Sequence, residues 1–271
     1  MAKGAEIYDQ FHARLDRLLK VALDARTSRR AGGMSQRSVD SVHEATLLGM
    51  VSLFENFLEE LFWSCVMNKS ALKGVKPTLS ISRQSVGEAI LLADRPYLTW
   101  LPVDETIRRA RIFLVGGRPF SRLERRPDKA TLSQILKVRH AIAHNSGKAK
   151  KDFSALIEPA RLRPGRRTPA GWLQASQQGS FIHERYGLAL KTAAGGLVAS
   201  TDAKADAILQ PAPPFGNRES PGRGNYRCLR CRNIVRLRGD ADRLEICAAC
   251  GGRPGCATCG RGALSQWERV Y

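Results

Sequence analysis

No stretch of this chain is long, apolar and free of charge. The most apolar run, Leu47 to Met67, carries Glu55, Asn56, Glu59 and Glu60, and a lipid-facing helix does not hold such groups centrally. No membrane span is therefore expected. The opening residues, MAKGAEIYDQ, lack the apolar core of a secretory signal, so the expected location is cytoplasmic. Acidic residues are short: 25 Asp and Glu stand against 44 Lys and Arg, giving a net charge of +19 and a pI near 10.2. A field of that sign attracts polyanions, and nucleic acid is the first expected partner. An acidic protein partner, or an arginine-rich genome, would leave the same imbalance. Histidine is scarce too, with five in 271 residues.

Two of those histidines fall in one segment, Ile135 to Gly147, reading ILKVRHAIAHNSG. Arg139, His140, His144 and Asn145 sit there inside an otherwise apolar helical pattern. A guanidinium is a fixed cation that grips a phosphate at two points. An imidazole moves protons near neutral pH. Together they suffice to cut RNA without a metal. Placed at a helix C-terminus, the same cations also favour the negative end of the helix dipole, which needs no chemistry. In a straight helix Arg139 and His144 would point about 140° apart. They can share a site if the arginine reaches round, if the helix ends near His144, or if a second subunit completes the site. Asn145-Ser146-Gly147 reads as a stop signal, and Thr131 to Gln134 as a capping box with Asp128 an alternative cap.

This R-x4-H pattern, Arg139 to His144 followed by Asn145, resembles the signature of the HEPN superfamily of helical ribonucleases. The upstream Leu53-Phe54-Glu55-Asn56-Phe57-Leu58 is similar to the core of a long HEPN helix. The resemblance covers residues 5 to 160, and extends less surely to about 205. It implies a homodimer with both motifs facing one cleft, and metal-independent RNA cleavage. Many members act as toxins or in defence against phage, so an antitoxin or defence-system partner is also implied.

The apolar fraction, 43%, is that of a globular protein. The expected fold is all-α: a HEPN-like helical domain over 1–210, a Pro/Gly-rich linker over 211–225, and a small zinc-ribbon-like β module over 226–271. Ala5 to Arg26 places Ile7, Phe11, Leu15, Leu18, Leu19 and Ala22 at helical spacing. Arg26 to Arg37 reads as a basic loop. Val39 to Asn68 reads as one long helix, capped by Ser38, with Leu47, Val51, Phe54, Leu58, Leu61, Phe62 and Cys65 on its buried stripe. Glu55 borders that stripe. It either orients Arg139 from across the bundle or faces solvent. Ser70 to Pro102 predicts loops and one short helix. Asp104 to Val115 predicts a helix with Arg108, Arg109 and Arg111 outward, and the arginine run that follows, Arg118, Arg122, Arg125 and Arg126 with Lys129, would suit an RNA backbone entering the cleft. Arg161, Arg163, Arg166 and Arg167 read as an exposed loop. Phe181 to Leu197 predicts a weak helix ended by Gly195-Gly196, Ala203 to Leu209 a last turn, and His183 is given no role.

The tail carries Cys228, Cys231, Cys247 and Cys250 in a C-x2-C-x15-C-x2-C arrangement. Two tight turns at that spacing present four thiolates at tetrahedral corners, as structural zinc requires, and the tail resembles a zinc ribbon. Cys256 and Cys259 add a third pair. Either they replace one of the others or six thiolates share two metals; the first two pairs are preferred, with redox CxxC chemistry the competing reading. Asn233 to Arg238 alternates like a strand, and Tyr226 and Trp267 are candidates to stack on bases.

The function expected is a metal-independent endoribonuclease. His144 is its acid or base and Arg139 its phosphate ligand. His140, Asn145 and Glu55 support them, and zinc is confined to the tail. A non-catalytic nucleic-acid-binding adaptor, or a protein-interaction module with an acidic partner, would use the charge without the chemistry.

Overall fold

A computed structural model describes residues 3–79, 81, 83–92, 98–124, 126–160, 162–177, 179–199, 224–228, 234–237 and 267–270. The chain divides into two compact units, Met1–Leu209 and Gln210–Tyr271. The first is an all-helical bundle. Helix α1 spans Gly4–Arg30, α2 Gln36–Val66, α3 Gln84–Leu92, α4 Val103–Phe113, α5 Arg126–Ala143, α6 Gly147–Ile157, α7 Pro169–Leu173 and α8 Ile182–Val198. A two-residue hairpin, β1 Ser176–Gln177 and β2 Ser180–Phe181, leads into α8.

Helices α1 and α2 form a hairpin that presents one continuous apolar seam. Ile7, Phe11 and Leu15 of α1 meet Leu47, Met50, Phe54, Phe57 and Leu58 of α2, all buried. The Phe11 ring lies 5.0 Å from Phe57 and 6.0 Å from Phe54, within the range of favourable aromatic contact. Helix α8 packs on α1 closely because position 187 has no side chain: a Cβ there would meet Leu19 Cδ2 at 2.7 Å. Helix α5 packs against α2, α6 and α8, which fixes its C-terminal end in the bundle.

Several boundaries differ from the sequence expectation. Helix α1 runs to Arg30, so the basic segment after Arg26 begins as helix and not as loop. Ser35, not Ser38, caps α2, accepting from the Ser38 amide at 3.1 Å. Helix α5 starts at Arg126, ahead of both Asp128 and Thr131, with Pro127 in its first turn where a missing N–H costs nothing. Gly195 and Gly196 lie inside α8, which continues to Val198 because its small face is buried against the bundle. Helix α6 buries Ala149, Phe153 and Ile157 at four-residue spacing, whereas the five-residue α7 is too short for a period to show.

In the second unit β3 (Gly224–Cys228) pairs antiparallel with β4 (Ile234–Leu237) and with β5 (Trp267–Val270), giving the order β4-β3-β5. The strand expected over Asn233 to Arg238 is present as β4. Tyr226, at the centre of β3, has no exposed surface, so it cannot stack on a base as the sequence reading allowed. Residues 211–223 of the expected linker and the turn expected over Ala203 to Leu209 lie outside the described residues, while Gly224 and Asn225, expected as linker, begin β3.

His183 acquires a structural role. It is buried beside His43 of α2, the two Nδ1 atoms 3.3 Å apart, with its Nε2 3.4 Å from Thr46 Oγ1. Thr46 Oγ1 donates to the Val42 carbonyl, so it can accept from His183. His183 is then the Nε2–H tautomer, and His43 donates from Nδ1. This leaves His43 Nε2 a bare lone pair, and it is without a partner. Burial, then the neighbouring His43 and the Arg26 cation, push His183 down to about 3. Burial and Arg26, partly offset by Asp40, push His43 down to about 4 from the usual 6.5.

The unfolded chain therefore binds more protons than the folded one between about pH 4 and 6.5. Stability should be fully present above that range and fall as the pH drops through it, by on the order of 3 kcal/mol from His43 alone. Urea unfolding midpoints across the range should show this decline, and His43→Leu should flatten it. An equal slope in the variant would contradict the assignment.

Candidate functional site

The motif segment resolves at the end of α5. Val138 and Ile135 are buried against the bundle and anchor the last turns, while Arg139 and His140 are half-buried at its edge. The helix stops at Ala143. His144 still donates its amide to the His140 carbonyl at 2.9 Å, so it stays over the last turn although its own backbone has left the helix. The stop does not come from a left-handed glycine. Ser146 caps the next helix instead, its hydroxyl accepting from the Ala149 amide at 3.2 Å, and Gly147 is the first residue of α6. Two helices thus meet across Asn145.

That break brings the motif together within one chain. Arg139 Nη1 lies 3.1 Å from His144 Nε2. A guanidinium can only donate, so Nε2 must offer its lone pair. The His144 ring is exposed to solvent. Of the three ways the pair could converge, the helix end is the one observed.

His140 stands one turn back, its ring 5.6 Å from His144 in an edge-on arrangement. Burial, then the Arg139 cation and His144, hold its pKa below the usual 6.5, with Asp152 of α6 pulling the other way. It is therefore largely neutral at pH 7. Glu55 is half-buried on α2. Burial raises its carboxyl pKa and the Arg139 guanidinium opposes the rise, so the two groups lie in each other's field. Asn145 is exposed in the connection. The N-terminal turn of α6 adds the positive end of a helix dipole next to the pair. Neither Arg139 nor His144 lines either of the two cavities described in this chain, near α1 and near Leu72. The site is a surface corner, open to a strand laid across it.

Several of the cations expected near an entry path are paired within the bundle, while Arg125 and the Arg126 side chain lie outside the described residues. Arg109 is buried, donating to the Thr99 carbonyl and facing the Trp100 ring at 5.4 Å. Arg108 pairs with Glu105 and Arg111 with Glu124. Arg122 donates to the carbonyls of Gly196 and Ala199 at the end of α8, and Lys129 pairs with Asp104. These cations hold the bundle together. The Arg108–Glu105 pair lies three residues apart on α4 and is local, but sequence position could not reveal the partners that Arg109, Arg122 and Lys129 meet on other elements.

Among the described residues, no cluster of His, Cys, Asp and Glu side chains could hold a metal. Cys228 closes β3 opposite Trp267, while Cys231, Cys247, Cys250, Cys256 and Cys259 lie outside the described residues. The remaining thiol, Cys65, is buried on α2 and pushed up to about 12 by burial, as a core side chain would be. Among the described residues, no helix is long and apolar enough to cross a membrane. No family model, curated protein or solved structure matches the chain.

The electrostatics of this corner can be read directly by NMR. Because the Arg139 cation helps depress His140, Arg139→Ala should move the His140 titration midpoint upward, toward the ordinary histidine value. A midpoint that stays fixed would place Arg139 away from the ring.

Proposed function

We propose that the chain is a metal-independent endoribonuclease of the kind its R-x4-H pattern resembles. The observation that carries this reading is the 3.1 Å contact between Arg139 Nη1 and His144 Nε2 at an exposed helix end. A phosphate-binding fork and an unprotonated imidazole nitrogen stand together where a strand can reach both.

When a phosphodiester occupies the corner, Arg139 turns from His144 to the non-bridging oxygens and stabilises the charge that builds there. That frees the Nε2 lone pair. His144 takes the proton from the ribose 2′-hydroxyl, and the 2′-oxygen forms a bond to phosphorus. The bond from phosphorus to the 5′-oxygen breaks, and the leaving oxygen takes a proton from an imidazolium. The products are a 2′,3′-cyclic phosphate and a 5′-hydroxyl. Within one chain His144 performs one of the two transfers. A second copy, in the homodimer we propose, supplies the other. His140, with Asn145 and Glu55, helps orient the pair. An effector of this type, working in the cytoplasm as a toxin or in phage defence, would need an antitoxin or partner to restrain it.

Zinc in this reading is structural. Thiolates from the tail cysteines, Cys228 and Cys231 with Cys247 and Cys250 by preference, would tie down a segment with little core of its own. No step of the reaction passes through it. The net charge of +19 also supports a simpler function, RNA binding by a non-catalytic adaptor.

His144→Ala and Arg139→Ala should each abolish cleavage of labelled single-stranded RNA, while EDTA in the assay should leave it unchanged over short times. Cleavage that survives His144→Ala and stops with EDTA would refute the assignment. Salt-sensitive binding without any product would favour the adaptor.

A further inference from the structure

Two basic segments that are far apart in the sequence meet in space. The end of α1 contributes Arg26, Arg29 and Arg30, and the 3-10 turn Pro164–Arg166 contributes Arg166. All four line one cavity of about 360 Å³. Phe181 and Leu162 supply apolar wall, and no acidic side chain lines it. Among the described residues, none of the ion pairs involves Arg29, Arg30 or Arg166.

The cavity is built, not a chance gathering of long side chains. Arg26 is largely buried, its guanidinium 3.1 Å from the Phe181 ring centroid and 3.8 Å from Glu184 Oε1. Gln174 donates to Asp40 at 2.7 Å and accepts from Gln36 at 3.0 Å, which fixes the floor between α7 and α2. The turn that carries Arg166 lies against Gly171, where a Cβ would sit 2.3 Å from the Arg166 carbonyl. The absence of a side chain at 171 is what lets that arginine approach α1.

We propose that this cavity binds the phosphomonoester end of a nucleotide. Guanidinium forks match phosphate oxygens in pairs, and several together suit more than one negative charge. The apolar wall gives a nucleoside something to lie against, and the volume is that of a small-ligand site. The cavity is separate from the corner at Arg139. Val39 lines the cavity and Glu55 lies in the field of Arg139, and these are sixteen residues apart on α2, roughly 24 Å at the helical rise. The proposal does not depend on the ribonuclease reading.

The test uses the full chain and the fluorescent nucleotide mant-ADP. Saturable binding is expected, weakened about tenfold or more by Arg30→Ala and by Arg166→Ala, and only partly restored by Arg30→Lys, which keeps the charge and loses the fork. Arg37→Ala removes the same charge outside the cavity and should leave binding intact, as should Arg139→Ala. Thermal melts identify a variant that has failed to fold. A trinucleotide with a 5′-phosphate, set beside one with a 5′-hydroxyl, distinguishes an RNA end from a free nucleotide; tighter binding of the phosphorylated form supports the proposal. The proposal is overturned if nothing saturates by about 1 mM. It is overturned equally if Arg37→Ala weakens binding as much as Arg30→Ala, if citrate competes as well as ADP, or if only the 5′-hydroxyl strand binds.

Discussion

Helix α5 ends one residue before His144, and the candidate site depends on that end. Had the helix continued, Arg139 and His144 would diverge by about 140°, and the arginine would have to reach round the helix to share a site with the imidazole. The amide of His144 stays bonded to the His140 carbonyl, while Ser146 starts a new helix three residues beyond Ala143. The segment between is too short to carry His144 away. The imidazole therefore falls back onto the arginine of the preceding turn. The same break leaves His144 and Asn145 exposed.

The rest of the fold sorts its positive charge into three uses. Some arginines are structural: Arg109 under Trp100, and Arg122 across the end of α8. Arg26 sits between the cavity and the bundle interior. It lies against Phe181 near Glu184, and its field helps keep His43 and His183 neutral. The third group, Arg29, Arg30 and Arg166 at the cavity and Arg139 at the helix end, has no ion-pair partner among the described residues. Such cations, exposed or half-buried on a chain of +19, favour the approach of anions.

What the sequence made legible follows from how each signal is encoded. The apolar seam of α1 and α2 is a run of threes and fours, so both helices were visible, as was the motif in α5. The convergence of Arg139 and His144 needed a helix end, and Asn145-Ser146-Gly147 announced one, although Ser146 achieves it by capping α6 and not by a glycine turn. Short helices such as α7 lack the length for a period to show. Arg109 reads as outward in the sequence because its acceptor, the Thr99 carbonyl, carries no sequence signal, and the carbonyls of Gly196 and Ala199 that Arg122 meets are brought to it only by the fold. The cavity was illegible for the opposite reason: its arginines come from segments more than a hundred residues apart, read separately as solvated loops. His183, solitary in the sequence, gains meaning only from His43 across the bundle.

The central claim is a reaction in which the substrate's own 2′-hydroxyl attacks phosphorus, with no metal-bound water. Its most direct test is the chemistry of the ends that the purified protein leaves on a defined RNA, read by mass spectrometry. The account predicts a 2′,3′-cyclic phosphate on one fragment and a 5′-hydroxyl on the other. Fragments ending in a 3′-hydroxyl and a 5′-phosphate would contradict it.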